Sequence, residues 1–525
     1  MRGRTVKQAA NYKLISTAIK SIFSCSSLSF TYFNLSRSRL DVGIHTAYHE
    51  QQNKQAWENP MEVSGWGKYP VSNSEVLTPV DSISLGKIVT TKKNRTPLIP
   101  RGAGRSYGDS SLSERILSSR FFDNFLELDV ESKLLRCGAG IDLDSILQVC
   151  IPRGLFMPVL PGTKFVSVGG AIAADVHGKN HHRDGSFCDH LASFRIVLAS
   201  GEMVSCSADE NAELFHGTCG GMGLTGMIID ATLKLIPLEN NAITQQSMVA
   251  RNLEESFDLL NESDDSTYSV AWLDCLARGN SLGRSIIYLA EHSNSRSDER
   301  SRLEHKKRKG LNVPFNAPSF FLNKYTMKAF NNTYYRLKEK EKAELQMDYD
   351  RYFFPLDNIG NWNKLYGRQG FLQYQFVLPH ESALSGIHKV LDTISSAGKG
   401  SFLTVLKKFG NANKNLLSFP KQGFTLTLDF KKEKSLFPLL NQLDEIVRDH
   451  SGRLYLAKDA RMSEEMFKSG YENWQDFVEL KQKYDPGNVF SSLQSDRIGL
   501  TESSSTVNSK ARTITKSKSK TESRD

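Results

Sequence analysis

Three glycine-rich turns between residues 97 and 226 restrict the fold of this chain more than any other feature. They read PLIPRGAGRSYGDSSL (97–112), PGTKFVSVGGAIAADVHGKNHHRDGSFCDH (161–190) and HGTCGGMGLTG (216–226). Glycine costs backbone entropy and adds no packing, so its clusters mark places where the main chain takes positive φ or lies against something flat or anionic. The middle stretch holds five glycines, four histidines and two lysines, and its polar end (177–190) follows directly on a small apolar run (166–176). Polar groups delivered at the end of a buried segment are how a rigid scaffold meets a ligand. Successive amides in such turns form concave anion sites that can hold a pyrophosphate. Gly221-Met222-Gly223-Leu224-Thr225-Gly226 matches the dinucleotide fingerprint, but it leads into an alternating strand (227–237) where that fingerprint requires a helix. The spacing of Gly102, Gly104 and Gly108 is one residue too long. A Rossmann nicotinamide site is not expected.

Charge and cysteine content exclude further classes. The formal net charge of +9 suggests nucleic acid until its distribution is read. Residues 1–40 hold seven Lys/Arg and no acid, residues 498–525 hold six basic and three acidic side chains, and the remainder carries −1. The body is not a phosphate-tracking surface, so no nucleic-acid partner is expected. Residues 12–35 are interrupted by Lys20 and fit neither a membrane span nor a clean signal sequence. An amphipathic anchor, a transit-like leader and a disordered extension stay open for residues 1–63. The Ser/Thr/Lys-rich tail, 499–525, is expected to be disordered. Seven scattered cysteines without a C-x-x-C pair suggest no disulfide framework and no zinc site. HGKNHH has no accompanying ligand motif, and no metal is expected.

Eight segments together carry a family likeness: RGAGRSYGDSSL, PGTKFVSVGGAIAADVHGKNHH, GSFCDH, ELFHGTCGGMGLTGMI, YFFPLDNIGNWNKLYG, GFLQYQFVLP, FGNANKNLLSFP and GRLYLAKDAR. They resemble the decaprenylphosphoryl-β-D-ribose 2′-oxidase family of vanillyl-alcohol oxidase / p-cresol methylhydroxylase (PCMH)-type flavoproteins. The likeness runs from about Gly65 to about Arg497. It implies an α+β chain: a two-subdomain PCMH-type FAD-binding domain (64–238), an antiparallel-sheet substrate domain (239–450), and a segment (451–498) that returns to complete the flavin site. Strands are predicted at 268–274, 285–290, 371–378, 401–406 and 424–430, with helices near 381–397 and 433–450.

The resemblance implies FAD against Arg101, Gly102, Ala103, Gly104, Arg105, Ser106, Tyr107 and Gly108, then Gly162, Thr163, Ser167, Gly169, Gly170, Ala174, His177 and Gly178, with Ile229 and Tyr455. Superfamily members that bond FAD covalently often have histidine directly after the first glycine turn. Arg105 stands there in this chain, so noncovalent FAD is expected, with Cys137 as the alternative attachment point. The implied catalytic residues are Lys458, His177 and Tyr107, and the implied substrate contacts are Lys179, Gln373, Gln375, Trp272, Asn413 and Lys458. A lysine amine serves as a base only if burial or a neighbouring charge depresses its pKa; otherwise it is a fixed cation. FLQYQF (371–376) alternates, which puts Gln373 and Gln375 on one face, two neutral donor–acceptors suited to sugar hydroxyls. Thr427 stands where well-known members of the family have cysteine.

The implied reaction is oxidation of the ribose 2′-hydroxyl of a polyprenyl-phosphoryl ribose, with a short-chain reductase partner completing epimerisation. A soluble alditol, aldose or aldonolactone oxidase is the alternative enzyme, and a flavin-binding scaffold the alternative of another class. Residues 296–309 carry seven basic and three acidic side chains ahead of Pro314, Phe315, Pro318, Phe320 and Phe321. That order suits an anionic membrane, worth about 1 kcal/mol per Lys or Arg. A peripheral flap over 296–325 is expected, on the cytoplasmic face or, alternatively, in the periplasm.

Overall fold

A computed structural model describes residues 60–91, 96–293, 303–305, 310–318, 321–341 and 343–501. The N-terminal extension as far as residue 59 and the tail from 502 lie outside the described residues, as do parts of the expected flap (296–302, 306–309, 319 and 320).

The flavin-type half consists of two small sheets. In the first, the strands lie in the order Met61–Ser64, Val71–Leu77, Arg115–Ser118, Leu98–Arg101. The outer pair is antiparallel and the other two pairings are parallel. Helix Ser82–Thr90 joins the second strand towards Leu98–Arg101, and its N-cap Asp81 accepts from the Ser84 amide, satisfying a donor that the helix start leaves free. The second sheet is antiparallel: Phe125–Asp129, Leu134–Gly138, Met227–Lys234, Leu191–Val197, Met203–Ser207. Met227–Lys234 is a strand, so the Gly221–Gly226 turn does not open a dinucleotide helix. The small apolar run after the second glycine turn contains a short helix, Val168–Ala173, capped by the Ser167 side chain.

The other half is built on an eight-stranded sheet. Its order is Glu344–Asp348, Ala242–Ala250, Ser285–His292, Tyr268–Leu273, Thr404–Phe409, Gly423–Lys431, Phe371–Pro379, Arg453–Leu454. Helices Leu253–Asn261, His380–Ala397 and Leu436–Asp449 cover one face. In the last, Leu436, Leu439, Leu440, Leu443 and Val447 recur at helical spacing and are buried against that face. Leu372, Tyr374 and Phe376 point into the same core.

Two expectations need correction. Strand 401–406 begins three residues later, at Thr404, because the Ser401 hydroxyl donates to the Leu403 carbonyl and accepts its amide, folding 401–403 into a turn. The expected division at 450/451 is also displaced, since Arg453–Leu454 pairs with Phe376–Val377 and completes the substrate-side sheet. The chain then crosses to the first flavin-side sheet, where Leu98 donates to Val489 and Ser491 donates back to Leu98.

Candidate active site

The first glycine turn is shaped by what packs on it. Arg101 donates to the Ser64 carbonyl at 2.7 Å and to Ser111 Oγ at 3.0 Å, and Gly104 takes φ +64° beneath its guanidinium. A Cβ on Gly102 would stand 1.9 Å from Ser167 Oγ, and one on Gly108 1.9 Å from the Asp459 carbonyl. The turn is thus pinned between the second glycine segment and the segment that carries Lys458. The Tyr107 amide donates to the Ala457 carbonyl at 3.0 Å. Among the described residues, no protein acceptor meets the amides of Gly102, Ala103, Gly104, Arg105 or Ser106. Consecutive free amides in a positive-φ turn make an anion nest, so these residues fit the pyrophosphate of FAD. A Cβ on Gly162 would meet nothing within 4 Å, leaving that side of the turn open.

Other expected cofactor residues support the cradle. The Gly169 amide donates to the Ala139 carbonyl and a Cβ there would press on Ala139, so this glycine serves strand packing. Ile229 is core, its carbonyl accepting from Ala139. A Cβ on Gly178 would collide with the Asn180 side chain. Thr163 Oγ1 accepts from the Phe165 amide, and Ala174 presents its carbonyl to the Tyr455 hydroxyl at 3.0 Å. Arg105 donates to the Phe165 carbonyl and lies 4.4 Å over the Trp66 ring, so it closes the turn. Cys137 is buried, and burial pushes its thiol up to about 12.

The catalytic candidates converge on the sheet face opposite the helices. Lys458 follows the last strand in a turn whose amides at 458 and 459 both donate to the Tyr455 carbonyl. Its Nζ sits 4.0 Å over the Tyr107 ring. Asp459 turns away, accepting from the Arg461 and Met462 amides, Gln494 and Arg497, so it does not neutralise its neighbour. The carboxylate that faces Lys458 is Asp429, unmarked in the sequence reading. Asp429 pairs with Gln373 across the sheet, and Gln373 Nε2 donates to its Oδ1 at 2.5 Å. Burial raises the Asp429 pKa, with Gln373 and Lys458 pulling against it. Burial lowers Lys458, with Asp429 opposing. Both shifts run towards the neutral forms, and the two groups titrate as a pair.

Gln375 lies on the same face as Gln373. Its Nε2 donates to Nε2 of His177 at 3.1 Å and to Thr425 Oγ1 at 3.3 Å. His177 is buried among Phe409, Tyr455 and Phe419, and burial, then Lys407, His181 and Lys458, drives its pKa well down. It is a neutral imidazole and a weak base, with Nε2 accepting from Gln375. The Tyr107 phenol is held well above its usual range by burial and then by Asp429, so it remains protonated. Lys179 reaches this region, donating to the Tyr352 carbonyl and lying 3.9 Å over that ring. So does Lys407, which the sequence reading missed, with Nζ 3.4 Å from the Gly178 carbonyl.

Two expected substrate contacts lie elsewhere. Trp272 donates to the Phe402 carbonyl and packs at a tilt against Tyr334, in a cluster with Tyr335. Asn413 bonds Asp175 and Ser186 at 2.8 Å each, part of a knot in which Asp175 also accepts from Asn415, Ser418 and the Cys188 amide. Those positions came from resemblance alone, and their hydrogen-bonding capacity is spent on structure. In contrast, His177 Nδ1 and the Tyr352 hydroxyl are buried without a hydrogen-bond partner among the described residues, while Asp429 and the Tyr366 hydroxyl face each other. Buried polar atoms with spare capacity mark where a polar ligand is received.

Comparison with known proteins agrees with this layout. Residues 76–207 match the FAD binding domain family, and residues 423–498 match the D-arabinono-1,4-lactone oxidase family. The chain is 34% identical to the decaprenylphosphoryl-β-D-ribose oxidase of Mycolicibacterium smegmatis over 83% of its own length and 97% of that protein's. It is 31% identical to an uncharacterised Streptomyces coelicolor protein over 69% of this chain and the whole of that one. Likeness to the D-arabinono-1,4-lactone oxidase of Yarrowia lipolytica, at 33%, covers only 23% of each chain. The chain is an FAD-binding oxidoreductase and belongs to the decaprenylphosphoryl-β-D-ribose oxidase family.

Proposed function

We propose that this chain oxidises the 2′-hydroxyl of a polyprenyl-phosphoryl-β-D-ribose to the 2′-ketone, with noncovalent FAD. What carries the reading is the convergence of Lys458, Asp429, Gln373 and Gln375 on one sheet face, in a chain that spans 97% of a relative named for that substrate. When bound, FAD supplies the two-electron acceptor for the carbinol hydride. Gln373 and Gln375 hold the sugar hydroxyls, Tyr107 donates to one of them, and His177 fixes Gln375. The hydroxyl proton passes to the Lys458–Asp429 pair, whose carboxylate ends protonated while the ammonium stabilises the developing alkoxide. Thr427, opposite Gln375 in the sheet, lines the same face and leaves no thiol there.

Arg105 in place of a histidine and the buried Cys137 support dissociable FAD, which acid precipitation tests: flavin staying with the pellet would refute it. A short-chain reductase that returns the ketone as the arabinose epimer is the consistent partner. Membrane contact through 296–325, on the cytoplasmic or alternatively the periplasmic face, rests on the basic–aromatic order of that segment. Its described part is not all free to move, because Asn241 fastens the Glu304 carbonyl at 2.7 Å. Deleting 306–309 is therefore expected to weaken binding to anionic vesicles. The match of 423–498 to the aldonolactone oxidase family favours a second reading, a soluble sugar oxidase. Anaerobic addition of farnesylphosphoryl ribose, or of free aldonolactones, decides between them by which one bleaches the flavin absorbance.

A further inference from the structure

Three lysines, Lys458, Lys407 and Lys179, reach the site, and among the described residues only Lys458 has a carboxylate, Asp429, facing it. Lys407 extends from strand Thr404–Phe409 on the face of Thr425, the hydroxyl that accepts from Gln375, and its Nζ lies 3.4 Å from the Gly178 carbonyl. Lys179 is the next residue after that carbonyl and donates to Tyr352. Among the described residues, neither Lys179 nor Lys407 forms an ion pair; their donors go to the neutral carbonyls of Tyr352 and Gly178. Both residues are half-buried. Ammonium groups are rarely withdrawn from water without an anion, because desolvation costs several kcal/mol per ion. Here neither has one among the described residues.

We propose that Lys407 and Lys179 form a phosphate site, which receives the phosphate on the carbon next to the one that is oxidised. This rests on the reading of the reaction given above and deepens it. The substrate then divides between the lysines: the 2′-hydroxyl at Lys458 with its carboxylate partner, the anomeric phosphate at Lys407 and Lys179, which have none among the described residues. Burial pushes both lysines down to about 7, with Lys458 adding to the effect on Lys407 and Lys407 to that on Lys179, so an arriving phosphate is met by amines that take up protons as it binds. The groups facing them are His177, His181, Lys458 with its partner Asp429, Tyr352 and Tyr268. Both histidines are lowered by burial, and both tyrosines stay protonated because burial raises them. The pH response near neutrality therefore belongs to the lysines, with Lys458–Asp429 as the neighbouring pair.

The test is a titration of the holoenzyme under anaerobic conditions, followed by the flavin difference spectrum and by calorimetry between pH 6 and 9. The probes are farnesylphosphoryl ribose, ribose 1-phosphate, methyl phosphate and phosphate-free methyl β-D-ribofuranoside. Phosphate-bearing probes are expected to lose affinity above pH 7, by about tenfold per pH unit for each proton taken up, and the riboside is not. Lys407→Gln and Lys179→Gln are each expected to weaken phosphate binding at least tenfold, with Lys407→Arg restoring it; FAD content and Tm monitor the fold. Tighter binding of the diester assigns the site to a lipid headgroup, and tighter binding of the monoester to a free sugar phosphate. Equal affinity for phosphate-bearing and phosphate-free sugars in the unmutated enzyme would overturn the proposal. Holoenzyme that binds these phosphates but whose flavin is not bleached by farnesylphosphoryl ribose would overturn the proposed reaction and leave the phosphate site standing.

Discussion

Replacing Asp429 by asparagine isolates the proton-accepting half of the site. Asparagine keeps the shape of the side chain and an oxygen for the bond from Gln373, now 2.5 Å long, and the Asp429 amide still reaches Ser401 Oγ. What disappears is one buried negative charge facing Lys458. An opposite charge at contact range is worth about 1–3 pKa units. Lys458, already lowered by burial, therefore falls further and is a neutral amine across the neutral range. The variant loses the carboxylate that receives the hydroxyl proton and the cation that stabilises the alkoxide. A positioned base contributes about 10²–10⁴ in rate, so flavin reduction is expected to slow by about 10²–10³. That corresponds to about 2.7–4 kcal/mol of barrier. Stopped-flow bleaching of bound flavin from pH 6 to 9 reads both the rate and the limb of the pH profile that belongs to the pair. A rate within threefold of the parent, with the same limb and full FAD content, would remove Asp429 from the mechanism. Lys458→Ala belongs in the same assay, with a loss of at least about 10² and FAD retained.

Three further outcomes are expected. Gly102→Ala drives a methyl into Ser167 Oγ, the cap of helix Val168–Ala173, and the purified variant is expected to show a reduced flavin-to-protein absorbance ratio. Lys481→Met strands Asp485, which pairs with Lys481 at 2.8 Å in the interior; breaking such a pair costs about 3–5 kcal/mol, visible in thermal unfolding, and an unchanged Tm would discredit the pairing. Asp357 accepts from the Lys164 amide and is pushed up to about 6, mainly by burial, from an ordinary value of 3.8. The folded state then holds the extra proton between those values, so stability falls as pH rises through the window and the cost is fully present above it. Asp357→Asn is expected to raise stability at pH 7.5 by up to about 3 kcal/mol and to change it little at pH 4; equal effects at both would contradict the assignment.

What the sequence disclosed follows from the range of the interactions involved. The glycine turns and the alternation of FLQYQF are local, and period-two patterning alone separates Gln373 and Gln375 from Tyr374, which bonds Asp444 on the helix side. Asp429 lies 56 residues from Gln373, and only sheet register brings them together. In LTLDF its charge reads like a solvated strand position. Lys407 was hidden by Lys408: two consecutive lysines suggest an exposed strand, yet one points to Asp264 and the other into the site. Phe409, two positions on and packed 4.8 Å from His177, was the available sign that Lys407 faces inward. His177 came from the resemblance, and no local pattern shows that aromatic burial lowers its basicity.

One register therefore serves stability and catalysis together. Across the two central strands, Tyr374 pairs with Leu428 and Phe376 with Leu426 on the helix side, while Gln373 pairs with Asp429 and Gln375 with Thr427 on the site side. The neighbouring strand continues this, with Leu406 opposite Leu426 and Lys407 opposite Thr425. A slip of one residue would turn Asp429 and Lys407 into the leucine core and expose Leu428 and Leu406 to the substrate. Each buried leucine contributes about 1.5–3 kcal/mol, so the packing of Leu436–Asp449 and His380–Ala397 on that face holds the register against the slip. Burying a carboxylate and two unpaired lysines on the other face opposes folding. The helix layer offsets that cost, and the same strands hold Asp429, Lys407 and Gln373 in place.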